Sequence, residues 1–303
     1  MKLTVIVINY HCADILNRCL NSIHTANSCE IFVVDNDNQL PVIERKGISV
    51  IGYAGNLGFS GANNKAMALA QGEYVLFLNA DVFLQKDYID RCIGFLDEHP
   101  DCASVQGKLL KESNPGYIDS TGNVVTRSFW AFNEHHLDRD DASIPSHEIY
   151  GVCCAAGVFR RSMLDAVSIK GEVFDNDFFA YLEDVDLNIR LRQQGYSSWF
   201  VADATALHIR EASSKFWFRF QQSMLNRYLL VVKHKGLASV IINSLVFLPP
   251  ILAFIPGRSA TLKKLQRCHK KRSKSPDNLG KIHDFDDNSR FFRHVYKRLR
   301  NTP

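Results

Sequence analysis

The sequence predicts an α/β fold in which a mostly parallel central sheet carries helices on both faces. Two patterns predict it. Runs rich in Val, Ile and Phe recur as "LTVIVIN" (3 to 9), "EIFVVD" (30 to 35), "ISVIG" (48 to 52) and "EYVLFLN" (73 to 79), continuous enough to be strands buried on both sides. Between them, Ile15, Leu16, Cys19, Leu20 and Ile23, then Ala62, Ala66, Leu69 and Ala70, fall at helical spacing, and strands alternating with helices build a parallel sheet. The opening "MKLTVIVINY" has one lysine and an apolar run too short for a secretion signal, so it reads as the first strand.

Ligands of such sheets bind beyond the carboxyl ends of the strands. That rule places Asn9, Asp35, Asn79 and Asp81 on one rim. A carboxylate at a strand end is by itself often a turn residue or helix cap, but two on one rim point to a site. The loop "NLGFSGANN", from Asn56 to Asn64, enters the same rim. Its glycines, Gly55, Gly58 and Gly61, are spaced G-x-x-G-x-x-G and follow the third strand. A dinucleotide fingerprint is G-x-G-x-x-G after the first strand, so the spacing argues against a nicotinamide enzyme. Glycines opening a helix still let backbone N–H groups approach a ligand closely.

The densest chemistry lies in "FDNDFFAYLEDVDLNIRLRQQGY", residues 174 to 196. It sets Asp175, Asp177, Glu183, Asp184 and Asp186 among core-type aromatics. Burying an unpaired carboxylate costs several kcal/mol or shifts its pKa until it is neutral, so some function or pairing must hold them there. Asp175, Asp177 and Asp186 have structural readings as loop turns, a helix N-cap and first-turn charges favoured by the dipole. Asp119-Ser120-Thr121-Gly122 and His135-His136 fall in the same half, where an acceptor could be gripped, although a solvated loop explains the histidines. Arg160 and Arg161 read either as diphosphate contacts or as surface arginines at a helix start.

Composition adds an asymmetry. From Gly257 onward there are 14 Lys and Arg against 4 Asp, leaving 22 basic and 28 acidic residues before it. An acidic body with a basic tail suggests a polyanionic partner, either an anionic membrane surface or nucleic acid. Residues 216 to 236 read as an aromatic, basic amphipathic helix. Residues 237 to 257 are nearly uncharged and interrupted by Pro249-Pro250, which fits a helix dipping into one leaflet better than a span; a buried helix pair is the alternative. The segment "KKLQRCHKKRSKS" (263 to 275) reads as too polar to pack, a mobile basic arm for lipid headgroups. The eight cysteines show no C-x-x-C pair and read as reduced, mostly buried thiols of a cytosolic protein.

Taken in order, "VIVINY", "VVDN", "NLGFSGANN", "LFLNAD", "AAGVFRRSML", the acidic segment and "LHIREASS" resemble the motifs of glycosyltransferase family 2, of GT-A fold. The pattern is most similar to bacterial rhamnosyltransferases of O-antigen and other surface polysaccharides. It spans about residues 1 to 215. The resemblance implies a nucleotide-sugar half (1 to 100), an acceptor and catalytic half (101 to 215) and a membrane-associating region of amphipathic and apolar helices with a basic tail (216 to 303).

It also implies roles. Asn9, Asp35, Asn56, Gly58, Asn79 and Asp81 would bind the nucleotide sugar, with Asp35 reading the base. Asn79-Ala80-Asp81 occupies the place of a D-x-D motif, with asparagine replacing the first acid. Asp81, Asn79 and His208 would hold a divalent metal, Mg²⁺ or Mn²⁺. Asp184 would be the catalytic base and Glu183 its helper, walled by Phe178, Phe179, Tyr181 and Leu187. The implied donor is dTDP-L-rhamnose and the acceptor a polyprenyl-diphosphate-linked glycan at the cytoplasmic face of a bacterial inner membrane. Three readings compete. One keeps the fold with a UDP-hexose or UDP-galactofuranose donor; another is a nucleic-acid-binding protein working through its basic tail, which leaves the strand-end acids and the Glu-Asp pair without a role; the third is a non-catalytic member that only scaffolds an assembly complex.

Overall fold

The computed structural model describes residues 1–40, 47–53, 55–126, 129–140, 144–210, 216–236 and 258–271. The first elements follow the predicted runs. They are β1 (Leu3–Asn9), α1 (Ala13–Asn21), β2 (Cys29–Asp35), β3 (Ile48–Gly52), α2 (Gly58–Met67) and β4 (Tyr74–Asn79). β3, β2, β1 and β4 lie side by side and parallel. Asn9 is level with Asp35, and Ile8 with Asn79, so the polar strand ends share one rim.

The second half extends the same sheet. It contributes β5 (Val82–Leu84), α3 (Tyr88–Glu98), β6 (Cys102–Lys111), β7 (Ile118–Ser120), a hairpin of β8 (Asn123–Val125) and β9 (Ala131–Asn133), β10 (His147–Ile149), β11 (Ala156–Arg160), α4 (Arg161–Ala166), α5 (Glu183–Gln193) and β12 (Ser197–His208). The sheet runs β10-β12-β6-β11-β4-β1-β2-β3, with β5 on β12 and β7 on β6. β11 is antiparallel to both its neighbours, β4 and β6, so the sheet is mixed rather than mostly parallel throughout. The reversal starts β11 at the rim, opposite Leu78, and therefore brings the residues just before it, Cys153 to Ala155, into the site.

Three apolar clusters hold the layers. α1 and α3 cover one face through Leu16, Leu20, Ile89 and Leu96. α2 and α5 cover the other through Ala62, Ala66, Leu187 and Leu191. α5 is apolar on two sides, because Val185 and Ile189 face away from the sheet into a third cluster. That cluster is closed by α6 (Phe216–Lys235) and α7 (Arg258–Lys270). Leu229, Leu230, Val231 and Val232 of α6 are fully buried in it, each stabilising by roughly 1.5–3 kcal/mol. α6 ends at Gly236, whose φ of 89° lets its N–H return to Val231 O and Val232 O at 3.1 and 3.0 Å, a left-handed cap that glycine favours.

The predicted helix at 216 to 236 is present, whereas the apolar stretch at 237 to 257 lies outside the described residues. The reading of residues 263 to 271 as a mobile arm is corrected. They belong to α7 and its end, and Cys268 is fully buried, because the acids of the 174–186 segment give their cations partners. No helix among the described residues is long and apolar enough to cross a membrane. All eight cysteines are free thiols, six of them buried.

Candidate active site

The first corner of the site forms where β1 and β2 end. Asn9 Nδ2 donates to Asp35 Oδ1 at 3.3 Å and to Asp37 Oδ1 at 3.2 Å. Asp35 is buried and accepts from the Leu40 N–H at 3.0 Å. Burial works against its charge, but the N–H of Leu40, with Asp37 and Asn9, outweighs it and holds the carboxyl below its ordinary pKa. The neighbouring Asn36 went unnoticed in the sequence, and it anchors the glycine loop. Its Nδ2 donates to Asn56 Oδ1 at 2.9 Å, and its Oδ1 accepts the Leu57 N–H at 2.8 Å. Asn56 Oδ1 in turn accepts the Gly58 N–H at 2.7 Å. Gly58 has φ +69°, and a Cβ there would meet Phe179 O at 2.4 Å; only glycine satisfies both demands.

The second corner forms where β4 leads into β5. β12 runs antiparallel to β5, setting His208 opposite Val82, which brings Asp81 and His208 together. Their Oδ1 and Nε2 are 3.5 Å apart. On its other side His208 Nδ1 meets Asp119 Oδ2 at 2.8 Å. Burial pulls the His208 pKa down, but Asp119 and Asp81 outweigh it and push it up to about 9. Asp119 lies on β7 under a cationic cover. Burial alone would raise its pKa, yet Arg210, 2.9 Å away, with His136 and His208 holds it well below the carboxylate range. The sequence singled out Asp119 to Gly122 for the acceptor; instead Asp119 orients His208.

This arrangement fits a divalent cation. A carboxylate oxygen and an imidazole nitrogen 3.5 Å apart are a mixed O/N donor pair suited to a divalent ion such as Mn²⁺ or Mg²⁺, with Asn79 two residues before Asp81 in the chain. The Asp119 bond at Nδ1 turns Nε2 toward Asp81, as an outer carboxylate does for a metal-binding histidine.

The third corner is the start of α5. Asp184 Oδ2 accepts from Asn123 Nδ2 at 3.0 Å, and Oδ1 from the Val185 N–H at 2.8 Å. Its low-dielectric surroundings raise its pKa against those bonds. Glu183 is buried, with Oε2 unpartnered. Burial, then the charge of Asp184, push it well above the ordinary range. Asp184 keeps partial solvent access while Glu183 does not, so Asp184 is the carboxylate a substrate can reach. Asn123, which no sequence signal marked, is the amide that orients it.

Two thiols feel charges from more than one corner. Cys153 lies between the last two, its thiol pushed up to about 12 first by burial, then by the Asp184 charge, with Arg210 and Asp119 also acting on it. Cys12 joins the first two, pushed up to about 11 by burial and by Asp81 and Asp37.

The remaining acids of the segment serve packing. Lys233 Nζ bridges Asp175 Oδ2 and Asp186 Oδ2 at 2.9 and 2.8 Å. Asp186 also accepts from Arg190 Nε and meets His234 Nε2, both at 2.9 Å. Lys271 reaches Asp175 and Asp177, and Arg267 reaches Asp177. Asp175, Asp177 and Cys268 are close enough to share a cation, but these lysines and Arg267 already hold the carboxylates. Arg160 is not at the rim. It bonds Leu96 O at 2.6 Å and the hydroxyl of Tyr74 at 3.2 Å, at the opposite end of β4. Of the expected wall, Phe178 and Leu187 pack in different clusters, and Phe179 covers Gly58 instead.

A sheet of this order, with strand-end acids, a carboxylate–histidine pair at β4 and a glycine loop, defines a GT-A-like α/β protein. The chain belongs to glycosyltransferase family 2, whose model, "Glycosyl transferase family 2", matches residues 4–168, more than half its length. It is 24% identical to the rhamnosyltransferase WbbL of Escherichia coli over 232 residues, covering 71% of this chain and 86% of that protein. It is 26% identical over 247 residues to an N-acetylglucosaminyl-diphospho-decaprenol L-rhamnosyltransferase of Mycobacterium tuberculosis, covering 70% and 77%. It also matches a probable glucomannan 4-beta-mannosyltransferase of Arabidopsis thaliana, 27% identical over 54% of this chain but spanning only 28% of that protein. Two solved structures share the fold. One is GalNAc-T7 with UDP, GalNAc and Mn²⁺ (TM-score 0.64, 13% identity, 90% of this chain and 55% of that one). The other is a mannosyltransferase of Pyrobaculum calidifontis with GDP-Man and Mn²⁺ (TM-score 0.53, 14% identity, 93% and 79%).

Proposed function

We propose that this glycosyltransferase is an inverting rhamnosyltransferase. It moves L-rhamnose from dTDP-L-rhamnose to a polyprenyl-diphosphate-linked glycan, in O-antigen or another surface polysaccharide, at the cytoplasmic face of a bacterial inner membrane. The observation that carries the transferase reading is the buried Glu183–Asp184 pair, raised in pKa, reachable through Asp184 and oriented by Asn123. Support for rhamnose comes from WbbL and the mycobacterial enzyme, both of which the chain covers over most of their length. The mycobacterial enzyme's name also carries a diphospho-decaprenol acceptor. For the lipid, the support is Trp217, Phe218 and Phe220, exposed at the start of α6, where Phe218 meets Tyr181 of the loop before α5.

In this mechanism Asp35 and Asn9 hold the nucleoside, and the glycine loop, fixed in place by Asn36 and Asn56, borders the donor. Asp81 and His208, with Asn79, would hold Mg²⁺ or Mn²⁺. When bound, such an ion offsets charge gathering on the departing nucleoside diphosphate. An acceptor hydroxyl is a poor nucleophile, so Asp184 accepts its proton as the oxygen bonds to the anomeric carbon. The bond from that carbon to the diphosphate breaks on the opposite face, inverting the centre. The pKa of Asp184, raised by its burial, makes it a better base than an ordinary carboxylate.

The first test is transfer by the purified protein with dTDP-L-rhamnose or UDP-hexoses and Mn²⁺, beside Asp184→Asn. Loss of base catalysis lowers turnover by about 10²–10⁴-fold while nucleotide binding persists. Equal turnover in the variant removes Asp184 from the role. Turnover only with a UDP-sugar keeps the mechanism and overturns the donor.

A further inference from the structure

Between Phe174 and Glu183 the chain takes a conformation that L-residues avoid. Phe179, Tyr181 and Leu182 all have positive φ, between +64° and +69°, with Leu182 standing as the N-cap of α5 without a side-chain cap. Such backbone persists only where its surroundings over-determine it. Here one side chain from another helix does so. Asn226 of α6, fully buried, aims Nδ2 at Phe178 O and Ala180 O, both at 2.8 Å, and at Tyr181 O at 2.5 Å. Gln222, one turn earlier, donates to Asn226 Oδ1 at 3.1 Å and to Phe178 O at 2.9 Å, which sets which end of the Asn226 amide faces the loop.

The clamped loop has a functional group on either side. Toward the donor, Phe179 O accepts the Ser60 N–H at 3.1 Å, and Phe179 lies against Gly58. Toward the base, Leu182 is followed directly by Glu183 and Asp184, and Leu182 O accepts the Asp186 N–H at 3.0 Å as α5 begins. We propose that Asn226 is a positioning residue. Its amide fixes the loop that sets the base helix against the donor loop, and α6 is thereby part of the catalytic unit.

The inference rests on the transferase reading, and its test separates the two. The full chain is compared with Asn226→Ala and Asn226→Asp, the second keeping the shape but losing the N–H donors. Val231→Ala, buried in the third cluster on the same helix, controls for stability. Steady-state transfer and backbone hydrogen exchange are both measured. The expected result is a 10- to 100-fold fall in kcat for both Asn226 variants on the order expected for misplaced catalytic geometry, with donor KM within about threefold because Asn36 and Asn56 still pin the glycine loop. Exchange at Ser60 and at 183 to 186 speeds up, while Val231→Ala keeps its kcat at equal or greater destabilisation. Wild-type kcat in Asn226→Asp overturns the proposal, as does a loss of kcat in Val231→Ala as large as that in Asn226→Ala. If the wild type transfers no sugar, the transferase reading fails. Exchange then decides the clamp, and unchanged protection at Ser60 in Asn226→Ala overturns it.

Discussion

His208 shows how a single side chain takes its chemistry from its neighbours. Alone, burial would make it neutral, but Asp119 at 2.8 Å and Asp81 at 3.5 Å favour the cation and push its pKa up to about 9. A folded-state pKa above the ordinary 6.5 means the native state holds a proton that the unfolded chain releases first. The metal-free protein therefore has this contribution in full below pH 6.5 and loses it as pH rises through about 9. Thermal melts in chelator from pH 6 to 10 check this. The wild type declines more steeply across that window than His208→Asn, and parallel curves would refute the assignment. Asp184 and Glu183 are raised too, but by burial opposing their charge rather than by partners favouring it, so they also cost stability as pH rises, stability surrendered to keep a reactive carboxylate.

At the scale of elements, α5 is the hinge between chemistry and packing. Its first turn carries Glu183 and Asp184, one side packs Leu187 and Leu191 on the sheet, and the other packs Val185 and Ile189 under α6. Asp186, fully buried, ties those layers together through Lys233, Arg190 and His234. A buried ion network is weak evidence for net stability, yet removing one partner is costly because it leaves charge uncompensated. Lys233→Met should cost on the order of 3 kcal/mol, measured as the urea unfolding free energy. A loss under about 1 kcal/mol would show that the remaining cations suffice.

At the scale of the whole molecule, the described helices beyond residue 215, α6 and α7, are part of the fold and not an appendage. They close the third cluster over Phe178, Val185 and Ile189 and supply cations for Asp175, Asp177 and Asp186. A chain ending at residue 215 exposes that apolar surface, strands Asp175 and Asp177, and leaves Asp186 with Arg190 alone among its cations. It should therefore lose fixed tertiary packing, read as collapse of near-UV circular dichroism with dye binding to exposed apolar surface. A truncated chain melting at the wild-type temperature would contradict this.

The sequence by itself determined the parallel half of the sheet and the rim. Local periodicity and strand-end polarity marked β1, β2, β3 and β4 with Asn9, Asp35, Asn79 and Asp81, and these features need no distant partner to be seen. It also marked Glu183 and Asp184, because five acids among aromatics are conspicuous whatever they touch. Only the tertiary structure decided which acids are free and which are bound. Asp175, Asp177 and Asp186 look like Asp184 in the chain, but Lys233, Arg267 and Lys271, some 47 to 96 residues away, neutralise the first three and leave the fourth to its raised pKa. The same distance hid Asn123 and Asn226, and the role of Asp119, each an ordinary polar residue until a strand or helix from elsewhere gives it a partner. It also turned a basic stretch that reads as solvated into the helix that seals the molecule, since a buried carboxylate gains far more from a cation than a solvated tail loses by packing.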